Sequence, residues 1–178
     1  CYWTIFNEGW GQFDSEAVYE KLKAMDNSRI IDATSGWFHQ TKSDVSSHHI
    51  YFGGWKAMKP RHRPVVLSEF GGHCYAAEGH LFNPDKAYGY KTCHTPEELH
   101  ASIEELYRSR ILPAVSKGLC AAVYTQLSDV EDEINGLLTY DRKVCKADSA
   151  GMNALAQDLQ AAIKGITKKD CSEADPVV

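Results

Sequence analysis

Apolar and polar positions along the chain alternate between short buried runs and amphipathic stretches. The run Tyr2-Trp3-Thr4-Ile5-Phe6 ends on Asn7-Glu8-Gly9 and reads as a strand over 2–8. Asp14 stands where a cap would open a helix through about Met25, with Val18, Leu22 and Met25 on one stripe. Arg29–Ala33, His48–Phe52 and Val65–Ser68 read as three further strands, the last stopping at Glu69. A long loop rich in Gly, His, Tyr and Asn follows over 71–94. Thr95-Pro96-Glu97-Glu98 is a capping box with Pro at the first helical position. It opens a helix through about Gly118, bent near Pro113. Cys120–Thr125 reads as a strand and Ser149–Ile163 as an amphipathic helix. The polar tail over 168–178 is expected to be disordered.

The resulting order, β-α-β-β-β-α-β-α with strands of the buried parallel kind, fits an α/β fold. It reads as part of a (β/α)8 barrel with some connecting helices reduced to loops. Residues 1–167 are expected to form one domain, the C-terminal portion of such a barrel. A barrel needs eight strands, so this set leaves two bare sheet edges. Ile5, Ile31, Ile50, Val66 and Val123 are expected to contribute to the face that would line the barrel centre. Burying an apolar face contributes roughly 25 cal/mol per Å². Self-association through the open side is therefore expected.

At 178 residues the chain is long enough to bury a sizeable core. Its 43% hydrophobic and 24% charged content is that of an ordinary globular domain. A net charge of -5 argues against nucleic acid or an anionic membrane surface as a partner. No apolar run is long enough to span a bilayer. The chain opens on Cys1 without a signal peptide and reads as a piece of something longer, so its compartment stays open. The six cysteines (Cys1, Cys74, Cys93, Cys120, Cys145, Cys171) include no CxxC pair. They read as mostly buried free thiols, with a Cys74–Cys93 disulfide as the lesser option.

Candidate chemistry sits at two strand ends. In (β/α) barrels the C-terminal ends of strands carry the reacting groups, and two facing carboxylates are the apparatus for breaking a glycosidic bond. Here those carboxylates are Glu8 and Glu69. The segments around them carry a family resemblance. Trp3–Gln12 resembles the fourth barrel strand of glycoside hydrolase family 2, which includes β-galactosidases, β-glucuronidases and β-mannosidases. Met25–Asp32 with Ser35-Gly36-Trp37 resembles its next strand. Leu67–Gly72 resembles its seventh, and Tyr124–Gly136 its eighth with the loop beyond. The resemblance spans about residues 2–145 and implies strands four to eight of the barrel.

It further implies a retaining β-glycosidase acting by double displacement. Glu8 would be the general acid and then the base, and Glu69 the nucleophile. Asn7 would bond the sugar 2-hydroxyl, a contact that strengthens in an oxocarbenium-like transition state. Tyr51 is similar to the tyrosine that contacts the nucleophile, or else a core aromatic. His49 is a candidate for a substrate hydroxyl, with His48 pointing to the opposite face by strand alternation. Trp37, Trp55 and Gln126 are candidates for the sugar platform or for core packing, since sugar C–H faces stack on aromatic rings.

Other motifs fail on spacing. Glu131-x-Glu133-x-Asn135-Gly136 lacks a closing carboxylate, because Arg142 stands there. Its acids are expected to order the loop by pairing with Arg142 or a backbone amide. The eight histidines form no HExxH or Cys/His pattern, so no metal and no cofactor are expected. His62 and His80 read as solvated loop residues. No GxSxG, P-loop or GxGxxG is present. Three readings follow: a family 2 glycosidase cleaving a β-glycoside, another barrel glycosidase such as a family 5-like endo-glucanase, and a non-catalytic carbohydrate-binding piece. On the first reading the chain alone, with a half-walled pocket, is expected to be weakly active or inactive.

Overall fold

A computed structural model describes residues 1–52 and 62–172, with side chains through 166. The elements are β1 (Tyr2–Asn7), α1 (Ser15–Met25), β2 (Ile30–Ser35), β3 (Ser46–Ile50), β4 (Val65–Gly71), β5 (His73–Tyr75), β6 (Lys91–Cys93), α2 (Pro96–Leu106), a π-helical turn (Tyr107–Ile111), α3 (Leu112–Val115), β7 (Leu119–Thr125) and α4 (Ser149–Ser172). The chain divides into two compact units. The first holds Cys1–Gly71 and Gly118–Thr125, and the second holds Gly72–Lys117 and the residues from Gln126 onward.

In the first unit every strand pairing is parallel. β1 pairs with β2, and β3, β4 and β7 form a three-stranded sheet in that order. Between β2 and β3 a seam of side chains takes the place of a backbone ladder. Ser47 donates to Asp32 at 2.8 Å, and Ser35 bonds His49 at 3.0 Å. Asp32 is 1% exposed and needs both of its donors, Ser47 and the Tyr2 hydroxyl at 2.9 Å. β2 and β4 carry the buried core, with Ile31, Ala33, Val65, Val66, Leu67 and Phe70. β1 and β7 are the outer strands, and Trp3 and Val123 on them are 43% and 56% exposed.

The face expected to line the sheet's concavity is only partly as anticipated. A cavity of about 450 Å³ is lined by Tyr2, Thr4, Asn7, Ser35, Val66, Ser68, Glu69, Ala121 and Val123. Val66 and Val123 belong to it, and Ile5, Ile31 and Ile50 do not. On β1, Tyr2 and Thr4 reach the cavity while Ile5, on the other parity, turns away, and Asn7 joins the lining only at the strand end. Ile31 is fully buried in the core.

β4 departs from regular pairing. His48 pairs with Leu67 but His49 pairs with Glu69, so the register slips at Ser68. The β4–β7 ladder slips over the same stretch, between Leu67 and Phe70. Such a bulge re-aims side chains. Here it brings both Ser68 and Glu69 to the cavity, although neighbours in a regular strand face opposite ways.

Helix α1 begins where expected, but Asp14 lies in the left-handed region at φ 36° and its side chain makes no cap bond. Only its carbonyl serves the helix, accepting from Val18 at 3.0 Å. Val18 and Leu22 are half-buried, whereas Met25 is 75% exposed and ends the stripe in solvent. Asp44 anchors the helix by accepting from the Tyr19 hydroxyl, Lys23 and the Ile31 amide, each at 2.8 Å.

The second unit holds structure inside the expected 71–94 loop: β5 and β6 pair in parallel. Three-residue strands are too short to carry a period-2 signal. Their register sets Cys74 against Thr92 and Cys93 against Tyr75, so the two thiols fall on opposite parities and stay free. Both are buried, while Cys1, Cys120 and Cys145 are exposed free thiols, which corrects the expectation of mostly buried ones. The capping box forms as read, with Thr95 accepting from the Glu98 amide at 3.1 Å. Glu98 reaches back to the His94 amide at 2.7 Å. The expected bend appears one turn ahead of Pro113, as the π-helical turn. Pro113 supplies no N–H and its ring crowds the carbonyl four residues earlier, which the wider turn accommodates. α4 runs on past Ile163 to Ser172, into the expected tail. No helix among the described residues is long and apolar enough to cross a membrane.

Loop 126–148 is ordered around a buried ion pair. Lys146 Nζ lies 2.7 Å from Asp129 Oδ1, both side chains having no exposure. It also donates to the Ile134 and Tyr75 carbonyls at 2.9 and 3.1 Å. The Gly136 amide also donates to Asp129 Oδ1 at 2.8 Å. Lys146 is thus the cation of this loop's buried pair; Glu131 and Glu133 had been expected to order the loop through Arg142 or a backbone amide, and Glu133 accepts from Asn135 Nδ2 at 3.0 Å. His80 is also tied down, with Nδ1 2.9 Å from Asp141, and is not a purely solvated residue.

Candidate functional site

The site lies in the first unit, where β1, β2, β3, β4 and β7 end. β1 stops at Asn7, and the chain turns over Glu8 and Gly9. The Trp10 amide closes the turn on the Asn7 carbonyl at 3.0 Å. Glu8 and Gly9 have φ of 54° and 81°, the sign pattern of a type I′ turn. Glycine adopts that region freely, but glutamate does so at a cost of about 1–3 kcal/mol. The Glu8 amide is held by the Ser35 carbonyl of β2 at 2.9 Å. Glu69 arrives through the bulge in β4.

His49 sits between the two acids. Its ring Nδ1 is 2.8 Å from Glu8 Oε1 and 3.5 Å from Glu69 Oε2. The imidazole has no exposure, while the Glu8 and Glu69 side chains are 21% and 29% exposed. One oxygen of each carboxylate and the His49 nitrogen all lie within 4.8 Å of one another. The ring packs on Gly36, where a Cβ would stand 2.6 Å from it, and Gly36 has φ 87°. Both features require glycine there. On its far side the ring's Nε2 is 3.0 Å from Ser35 Oγ, which donates to Ser68 Oγ at 2.8 Å.

Tyr51 donates its hydroxyl to Glu69 Oε2 and lies 3.2 Å from Thr125 Oγ1 at the end of β7. Asn7 and Glu69 line the cavity. Trp37 is 48% exposed, its ring 6.4 Å from that of His49. His48 faces elsewhere, bonding Ser46 at 3.1 Å and packing edge-on against His39. Burial, then the neighbouring His39, lowers its pKa to about 4.

Asn7, Glu8, His49, Tyr51, Glu69 and Trp37 therefore share one unit, and five strand ends supply or support them. Gln126 belongs to the second unit, where its amide donates to Asn135 Oδ1 at 2.6 Å. Trp55 lies outside the described residues. Ser35, Ser68 and Thr125 were not singled out by the sequence. Position just before Glu69 was the available signal for Ser68, and strand-end placement for the other two. Phe38 was also missed. It is 66% exposed and left-handed at φ 54°, and its ring packs where a Cβ of Gly9 would stand at 2.5 Å. Gln12 and Gln40 hold its carbonyl at 3.2 and 3.0 Å.

Chemically this is two carboxylates converging across a buried imidazole, one of them hydrogen-bonded by a phenol. The same three atoms are near enough to meet on one cation. The 2.8 Å contact between His49 and Glu8 is, however, an ordinary hydrogen-bond length. No family model and no curated protein matches this chain.

Proposed function

We propose that this chain carries the acid/base and nucleophile of a retaining β-glycosidase, on strands corresponding to the fourth to eighth of a (β/α)8 barrel. The observation that carries the reading is the convergence of Glu8 and Glu69 within 4.8 Å across His49. Retaining enzymes hold their carboxyl groups about 5–5.5 Å apart, whereas inverting enzymes leave roughly 6.5–9.5 Å for a water. Glu69, oriented by Tyr51, attacks the anomeric carbon. Glu8 gives its proton to the leaving oxygen as the glycosidic bond breaks. Glu8 then takes a proton from the water that releases the sugar from Glu69. Asn7, which precedes Glu8 and lines the cavity, would meet a sugar hydroxyl there.

The test is a panel of aryl β-glycosides, offered to this chain and to any longer natural form that contains it. A 2-deoxy-2-fluoro glycoside with a good leaving group is added to trap the intermediate. Hydrolysis with retained anomeric configuration is expected, with the trapped sugar on Glu69 by peptide mass spectrometry. An inverted product, or a label on another residue, would sink the reading.

A further inference from the structure

The hydroxyl chain behind His49 has no part in the double displacement as described, and it constrains where protons can sit. Ser35 is 2% exposed, so its partners are the protein atoms around it. Its single hydroxyl proton goes to Ser68 Oγ at 2.8 Å. The 3.0 Å contact with His49 must then run the other way, with ring Nε2–H donating and Ser35 Oγ accepting. A neutral imidazole carries one N–H, so Nδ1 is left with a lone pair. That lone pair faces Glu8 Oε1 at 2.8 Å in a site where the ring has no exposure. Two lone pairs at that distance repel, so a proton lies between them.

We propose that Ser68 and Ser35 act as positioning residues that hold His49 with its proton on Nε2, making Nδ1 the ring atom that shares the acid proton of Glu8. The Glu8–His49 contact then holds one proton, whether drawn as a carboxylic acid on an imidazole or a carboxylate on an imidazolium. This deepens the glycosidase reading and, for its catalytic meaning, rests on it. In the first step the shared proton passes to the leaving oxygen as the C–O bond breaks and Glu69 forms its ester. In the second, the attacking water returns a proton to the pair and the ester bond breaks, so the count closes. Ser68 borders the cavity, which places the end of the chain beside any bound ligand. The bulge in β4 matters here as well, because a regular strand would aim only one of Ser68 and Glu69 at the site.

Ring nitrogen NMR of ¹⁵N-histidine-labelled protein reads the tautomer directly and needs no substrate. The wild-type His49 is expected to carry its proton on Nε2, with Nδ1 unprotonated or hydrogen-bonded to an acid. Ser68→Ala removes the acceptor for Ser35, whose proton can then turn to Nε2. The ring should invert to the Nδ1–H form, while Ser68→Thr should keep the wild-type pattern. In turnover, Ser68→Ala should slow poor phenolic leaving groups about tenfold, the rate equivalent of one hydrogen bond. Dinitrophenyl glycosides, which draw little on the acid, should change far less. A wild-type ring protonated on Nδ1 alone overturns the proposal even if no variant folds, as does an unchanged tautomer in a folded Ser68→Ala protein. An Nε2–H ring together with no glycosidase activity in any longer natural form that contains this chain supports the tautomer assignment and sinks only the enzymatic reading.

Discussion

Replacing Tyr51 by Phe removes the hydroxyl that donates to Glu69 Oε2 and leaves the ring in place. A hydrogen bond to a charged group contributes about 1.5–3 kcal/mol, but only interactions that differ between ground and transition states change a rate. On the proposed mechanism Glu69 would lose negative charge as it attacks, so the Tyr51 bond would weaken along the first step. In the second step Glu69 would be the leaving group and regain that charge, so the bond would strengthen towards that transition state. Tyr51→Phe should therefore slow release of the sugar from Glu69 by roughly 10- to 150-fold, at 1.36 kcal/mol per factor of ten. The first step should fall less, through the lost orientation of Glu69. Stopped-flow with a dinitrophenyl glycoside separates the two: the variant should show a burst of phenol followed by slow turnover. Thr125 Oγ1, 3.2 Å from the same hydroxyl, offers a control, since Thr125→Val keeps the direct donor to Glu69 and should show a smaller burst. Equal slowing of both steps, or no accumulation of glycosyl-enzyme, would refute the reasoning.

Other expectations follow from the same geometry. Glu69→Gln should nearly abolish turnover of every substrate, whereas Glu8→Gln should spare the first step for activated aryl glycosides; equal losses on such a substrate would contradict the role assignment. His73 is 8% exposed, and burial, then Lys91, holds its pKa near 4. An unfolded histidine takes up its proton near 6.5, so this group's contribution to stability is lost as pH falls from about 6.5 to about 4. The loss is on the order of 3 kcal/mol, read by hydrogen exchange in α2 against His73→Gln, and parallel pH curves for the two proteins would refute it. Lys146→Met strands the buried Asp129 charge and should cost about 3–5 kcal/mol, while adding Asp129→Asn should recover part of it in chemical denaturation. Exposed Trp3 and Val123 on the outer strands β1 and β7 lead us to expect concentration-dependent self-association, and light scattering that finds a monomer at high concentration, without uptake of a hydrophobic dye, would rule it out.

The strands of the first unit were legible because each is a run of β-branched or aromatic residues ended by a polar or glycine-rich turn. The choice of His49 over His48 was legible from alternation once Tyr51 was placed on the same face. The small elements of the second unit were not, since β5 and β6 are three residues each and owe their existence to pairing partners distant in sequence. The conformation of Asp14 was not legible either. A cap residue is recognised by type, and Asp14 is of the right type, but a left-handed backbone leaves its side chain without a cap bond. Nor could composition find the pair of Lys146 with Asp129. That pairing depends on which cation reaches two carbonyls as well as the carboxylate in the same buried space.

The site itself exposes the limit of local rules most sharply. Glu8 is a glutamate in a backbone region that favours glycine, and Glu69 stands on a register slip in an otherwise regular strand. Pattern reasoning locates both residues, because each ends a strand, but it assigns Ser68 and Glu69 to opposite faces and gives Glu8 no left-handed turn. Both irregularities work in the same direction. The turn carries Glu8 towards His49, and the slip carries Glu69 and Ser68 to the two ends of the same imidazole, one near Nδ1 and the other reaching Nε2 through Ser35. Neither irregularity has a packing explanation of its own, since Glu8 and Glu69 remain partly exposed. A left-handed backbone retained at partly solvated Glu8 and held by the Ser35 carbonyl, together with a register slip retained at Glu69, is the pattern expected where a fold gives up local preference to bring particular side chains together.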